Sequence, residues 1–277
     1  MVIEIGLDSF PPILFSALRF LCAAFPAILF WNKGDIKWRW IISIGITLGI
    51  VMFSLLYIGM YIGMPAGLSS LVLQIQAVFT LLLSSLILRD TPTLWQKAGI
   101  TTAFLGLGLL VINTYETASF VGLIFVIASG FAWAVSNILM KLCGNINMFR
   151  LIIWISIIPP IPLFLISLLF ETGHVDALSE ISWAGVGSIL YTGLVSTVLA
   201  FAIWGKLFRE YSPNVVAPFA LLVPIFGIAS SFVILNERFT QIELLSTCLV
   251  FVGLALIVFG SKLSEFVRLK ANYVFRK

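Results

Sequence analysis

The sequence predicts an all-α integral membrane protein, and three observations predict it. Of 277 residues, 61% are hydrophobic and 10% charged. The mean hydropathy is +1.13. Nine stretches are apolar over the length of a membrane crossing. A spanning helix needs about 20 mostly apolar residues, because its backbone polar groups must be satisfied within the segment. A composition this apolar excludes a water-soluble globular domain.

The first span, Pro11 to Trp31, carries Arg19 as its one charged residue. The second, Trp40 to Met60, carries Gly45 and Gly49 four residues apart, which suits close helix packing. The same spacing recurs at Gly59, Gly63 and Gly67. The third span, Pro65 to Leu88, holds the densest polar set. The fourth, Leu94 to Asn113, follows a break at Thr91-Pro92-Thr93. The fifth and sixth run from Phe120 to Met140 and from Leu151 to Phe170. The seventh, Trp183 to Gly205, follows the longest connection, Glu171 to Ser182, which is too short for a domain. The eighth, Asn214 to Leu235, is interrupted by Pro218 and Pro224. The ninth runs from Ile242 to Gly260.

The positive charges follow membrane sides. One set of alternate connections and the C-terminal tail carry fourteen of the sixteen Lys and Arg residues. The opposite loops carry only Arg238 against eight acids, and Arg19 lies inside a span. The positive-inside rule therefore predicts a cytoplasmic C-terminus and, across nine spans, an external Met1. Although the net charge is +4, the basic residues form no single patch, so no nucleic-acid partner is predicted. The tail from Ser261 to Lys277 mixes basic and aromatic residues and reads as an anchor on the anionic inner leaflet. Cys22, Cys143 and Cys248 read as small packing residues, and no cleavable leader is visible.

One pattern is written twice. Ile87-Leu88-Arg89-Asp90 lines up with Ile234-Leu235-Asn236-Glu237, and Phe104, Gly106, Leu107, Leu109 and Val111 match Phe251, Gly253, Leu254, Leu256 and Val258 at the same spacing. Asp90 falls on the predicted cytoplasmic side and Glu237 on the external side, so the copies are inverted, a transporter signature. The expected division is residues 1–113, residues 119–260 and a basic tail at 261–277. The second repeat holds five spans and the first four full ones, so an opening helix is expected to be largely missing. Ile3-Glu4-Ile5 set against Met140-Lys141-Leu142 marks its remaining end.

Enzyme chemistry has no foothold. The sequence shows no metal-ligand spacing, no glycine-rich phosphate loop and no nucleophile with a partner base, so no catalytic residue, metal or cofactor is predicted. The single histidine, His174, reads as a solvated loop residue.

Polar residues inside spans face a bundle interior or a cavity. Ser69, Gln76 and Thr80 form one helical stripe, with Ser70 and Gln74 on the adjoining face. They suit either interhelical hydrogen bonding or a substrate cavity. In the second repeat Pro224 aligns next to Gln76, and its helix is either kinked or opens a carbonyl toward substrate. Trp133, Ser136, Asn137 and Met140 share one side of the fifth span, where Trp133 also fits a packing or interfacial role. Arg19 must snorkel, pair or face water; it suits attraction of a carboxylate as well as pairing with a carbonyl or an acid.

These motifs resemble the EamA domains of the bacterial drug/metabolite transporter superfamily. The resemblance rests on Pro11-Pro12, Ala17-Leu18-Arg19-Phe20, Gly63-Met64-Pro65-Ala66-Gly67-Leu68, Ser70 to Gln74, Gln76-Ala77 and Phe79-Thr80. In the second half it rests on Phe131-Ala132-Trp133, Asn137, Lys141, Ile203-Trp204-Gly205, Val216-Ala217-Pro218, Leu221 to Pro224 and Asn236-Glu237-Arg238. Ala77 after Gln76, where the family usually has Pro, points to the cysteine-type subgroup. The resemblance implies a ten-helix fold of two inverted repeats around a central cavity, in the bacterial inner membrane. It implies export of small neutral amino acids or metabolites, of the cysteine and O-acetylserine type, by alternating access. The alternatives are efflux of drug-like or aromatic compounds, or an inactive truncated remnant. The expected partners are a small-molecule substrate and the lipid bilayer.

Overall fold

The computed structural model describes residues 2–7, 9–30, 32–64, 66–112, 119–179, 182–223, 225–226 and 241–274. The nine apolar stretches are helical over their described residues, apart from Pro11 and a break at residues 156–159. A short helix α1, Val2–Leu7, precedes α2, Pro12–Phe30. Helix α3 is Trp38–Tyr61, α4 covers residues 66–88, and α5 is Leu94–Ile112. Helix α6 is Phe120–Leu142 and α7 is Met148–Phe170. Then come α8, His174–Ser179, α9, Trp183–Glu210, α10, Pro213–Val216, which tightens into a 3₁₀ run at Ala217–Leu221, and α11, Gln241–Val274.

Among the described residues five helices are long and apolar enough to cross a membrane: α3, Ser69–Leu88 of α4, α6, α7 and α9. Pro12–Phe25 of α2 and Leu244–Gly260 of α11 are shorter apolar helices. Of the eighth expected span, residues 227–235 lie outside the described set, as do Pro65, Pro224 and the Asn236-Glu237-Arg238 motif. Helix α11 runs without a break past Gly260 into the basic tail, and its 34 residues extend about 51 Å at 1.5 Å per residue.

Small residues set the helix contacts, as the glycine spacing predicts. In lipid, association relies on close packing, so interfaces favour residues that let backbones approach. A Cβ on Gly59 would stand 2.9 Å from the Gly122 carbonyl oxygen, and one on Gly122 would stand 2.7 Å from that of Gly59. Gly45 and Gly49 seat Ile158 and Pro159 of α7. Helices α5 and α11 cross at Gly99 and Gly253, where each Cβ would meet the other residue's carbonyl oxygen, at 2.4 and 2.5 Å. This pair brings together the last helices of the two repeats.

The packing repeats with the sequence. Helix α1 lies along the start of α9, and the Ser188 hydroxyl donates to the Val2 carbonyl at 2.5 Å. The end of α6 lies likewise along the start of α3. Helix α3 widens into a π-helical segment at Gly45–Met52, and α9 does so at Tyr191–Ala200. Helix α4 tightens into a 3₁₀ turn at Leu73–Ile75, and the 3₁₀ run of α10 reaches the matching register. Irregular turns thus fall at corresponding places in both halves.

Helix α7 differs from an unbroken span. It opens between Met148–Ile155 and Pro160–Phe170, because Pro159 and Pro160 lack the N–H groups that would continue the ladder. His174 also differs from expectation: its Nε2 shares a 2.8 Å hydrogen bond with the Ser167 hydroxyl, which donates to Glu171 at 2.6 Å.

Candidate functional site

The fourth helix sets the site. Its apolar sequence drives it into the bundle, and the 3₁₀ turn at Leu73–Ile75 changes the phase of the side chains that follow. A 3₁₀ turn advances about 120° per residue, against about 100° in an α-helix. On the predicted stripe Ser69, Gln76 and Thr80 are all buried, and on the adjoining face Gln74 is buried while Ser70 is half-buried.

Three predicted site residues meet directly. Asn137 of α6 donates its Nδ2 to Gln76 Oε1 at 3.0 Å and to Thr80 Oγ1 at 3.1 Å. The Thr80 hydroxyl lies 3.4 Å from Gln76 Oε1, to which it donates. A fourth member is named in the sequence only within the Ile203-Trp204-Gly205 motif and not as a site residue: Trp204 of α9 donates its indole N–H to Asn137 Oδ1 at 3.0 Å. Trp133, one turn before Asn137 on the same helix, packs against Phe201 and Trp204 with ring centroids 6.3 and 6.5 Å away. Its interior aromatic contacts place it in the bundle rather than at an interface.

Gln74 donates its Nε2 to the Ser70 carbonyl at 3.1 Å. Four buried polar atoms near this part of α4 and α6 have no hydrogen-bond partner: Ser69 Oγ, Gln74 Oε1, Gln76 Nε2 and Trp133 Nε1. Buried polar atoms in folded proteins are nearly always paired, so a cluster of unpaired ones calls for a ligand or water. Neither donors nor acceptors are missing from the set, and it includes no charged group.

Arg19 sits in a separate niche. Its Nε donates to Thr197 Oγ1 of α9 at 3.0 Å. The guanidinium lies 4.4 Å from the Phe53 ring centroid and 5.5 Å from that of Phe20. The Tyr57 hydroxyl is a further polar neighbour. Among the described residues, Arg19 thus pairs with hydroxyls and aromatic faces. Thr197 and Trp204 are seven apart on α9, so one helix face serves both niches. Ser136 belongs to neither, since its hydroxyl meets Thr47 Oγ1 and the Ala132 carbonyl, both at 2.9 Å.

Comparison with known proteins agrees with this architecture. The model of the EamA-like transporter family matches residues 1–112 and 120–259. A protein of Salmonella typhimurium described as a probable amino-acid metabolite efflux pump is 36% identical over 277 residues, covering 97% of this chain and 92% of the relative. A protein of Escherichia coli with the same description is 34% identical over 276 residues, with the same coverage. A protein crystal structure, 15% identical, superposes with a TM-score of 0.78 over 95% of this chain and 96% of the other, a likeness of fold. With the family pattern matched along both halves, the chain belongs to the EamA-like transporter family.

Proposed function

We propose that this protein exports small neutral amino acids and related metabolites from the bacterial cytoplasm by alternating access. The observation that carries the reading is the set of unpaired buried atoms on α4 and α6, Ser69 Oγ, Gln74 Oε1, Gln76 Nε2 and Trp133 Nε1. A zwitterion needs donors for its carboxylate and acceptors for its ammonium, and this set offers both without burying a fixed charge. The relatives described as amino-acid metabolite efflux pumps support the same substrate class. Cysteine and O-acetylserine are the substrates of choice by resemblance. The charge distribution supports an inner-membrane orientation with a cytoplasmic C-terminus. The proposed units are the repeats at residues 1–113 and 119–260, with 261–277 as a basic tail.

Ser69, Ser70, Gln74, Gln76, Thr80, Trp133 and Asn137 form the proposed substrate site, with Arg19 acting from its neighbouring niche and Pro224, outside the described residues, included by its alignment next to Gln76. The test is uptake or efflux of labelled cysteine in proteoliposomes holding the full chain. Gln76→Ala is expected to abolish transport while the protein still inserts. Normal transport by a Gln74→Ala, Gln76→Ala double variant overturns the site.

One observation favours a second reading, efflux of aromatic compounds. Trp133, Phe201, Trp204 and Phe208 form a continuous run of rings, with Trp204 and Phe208 centroids 5.3 Å apart. Inhibition of cysteine transport by a panel of aromatic and aliphatic amino acids separates the two.

A further inference from the structure

The amide groups of the site have a fixed order, and a single residue fixes it. An indole N–H donates and cannot accept. The 3.0 Å contact from Trp204 Nε1 therefore identifies the facing atom of Asn137 as its oxygen. The other end of the Asn137 amide must then be Nδ2, which donates to Gln76 and Thr80. An amide that receives such a donor presents its oxygen, so Gln76 turns Oε1 toward Asn137. Its Nε2 is then the atom left buried and unpaired. A reversed Gln76 would set two NH₂ groups against each other. Gln74 is oriented separately and oppositely. Its Nε2 is held by the Ser70 carbonyl, which leaves Oε1 as the unpaired atom.

We propose that Trp204 is a specificity-positioning residue: through Asn137 it holds Gln76 with its N–H donor toward the substrate, making that end of the site selective for a carboxylate. The inference rests on the reading of the cluster as the substrate site. The Gln76 Nε2 donor and the Trp133 indole N–H, one turn from Asn137 on α6, recognise the carboxylate. The Gln74 Oε1 acceptor recognises the ammonium. The substrate class is an α-amino acid with both termini free, and the two ends are read by different residues.

The two ends can be tested apart. Unlabelled analogues compete against labelled cysteine in proteoliposomes containing the full chain. Cysteine methyl ester lacks the carboxylate, and N-acetylcysteine lacks the ammonium. In the unmutated chain both compete more weakly than cysteine. Trp204→Phe keeps an aromatic ring but removes the donor, which frees the Asn137 and Gln76 amides to turn. The gap between cysteine and its methyl ester is expected to shrink by about fivefold to tenfold, the scale of one hydrogen bond, while the gap to N-acetylcysteine holds. A general packing defect would not separate the two gaps. Asn137→Leu removes the middle of the relay and is expected to give the same asymmetric change, so the test survives if Trp204→Phe fails to insert. Both gaps unchanged, or both falling together, in variants that still transport overturns the role of Trp204 and leaves the export function standing. An unmutated chain that carries no amino acid overturns the function and the inference with it.

Discussion

Asn214 donates its side-chain amide to the main-chain carbonyl of Asp90 at 2.7 Å, tying the start of α10 to the end of α4. The Ser212 hydroxyl meets the carboxylate of the same aspartate, and the Asn214 backbone N–H is held by Ser212 Oγ at 3.2 Å. The central helices of the two halves are thus joined at one end by a small polar clasp.

Asn214 is buried, so its loss leaves the Asp90 carbonyl short of a donor. Asn214→Ala is expected to lower stability by about 1–2 kcal/mol, read as a lower thermal midpoint in detergent. Asn214→Asp is expected to be worse than Ala, since it removes the donor and sets a second carboxylate beside Asp90. The order of the two midpoints checks the clasp.

The α5–α11 crossing leaves no space for a methyl group. A Cβ on Gly99 would lie 2.4 Å from the Gly253 carbonyl oxygen and 2.6 Å from Ile257 Cγ1. Both backbones would have to part, at a cost of about 1–3 kcal/mol or more. Gly99→Ala and Gly253→Ala should therefore each lower the thermal midpoint. Gly108, on the same helix as Gly99, meets nothing within 4 Å. Gly108→Ala should be neutral or gain up to about 1 kcal/mol from helix propensity.

Glu171 caps a helix far from it in sequence. Its carboxylate accepts from the backbone N–H groups of Ile13 at 2.6 Å and Leu14 at 3.0 Å, in the first turn of α2. These are donors that a helix start leaves unmet. Glu171→Ala is expected to cost about 1–2 kcal/mol, the scale of a lost cap, and Glu171→Gln less, because one oxygen acceptor remains. Amide exchange at Ile13 and Leu14 should rise in the same order.

Arg19 is held by shape as well as charge. The flat guanidinium stacks on Phe53 while Nε reaches Thr197, and a lysine offers neither the plane nor that donor. Arg19→Lys is expected to lose about 1–2 kcal/mol despite keeping the charge. Thr197→Val should lose about 1 kcal/mol in the wild-type background and little once Arg19 is Lys. A double-variant cycle of thermal midpoints measures that coupling.

The spans were legible because a bilayer imposes a length and an apolar composition that hydropathy reads directly. Gln76, Thr80 and Asn137 were legible for the same reason, as polar side chains in segments that tolerate few. Trp204 was legible only as part of a family motif, because its partner lies 67 residues away. The cap by Glu171 was hidden likewise, across 158 residues to Ile13. The opening of α7 was written in Pro159-Pro160, but an average over apolar residues passes across it. The phase change at Leu73–Ile75 leaves no mark in composition at all.

Of the three π-helical segments among the described residues, Gly45–Met52, Ser84–Leu88 and Tyr191–Ala200, the first and last are related by the repeat. A π turn holds about one residue more than an α turn and is rare inside helices, where it often marks a functional place. The sequence offset that aligns Asp90 with Glu237 carries Gly45–Met52 onto residues inside Tyr191–Ala200. The two halves therefore share a rare backbone geometry at one register as well as a sequence pattern.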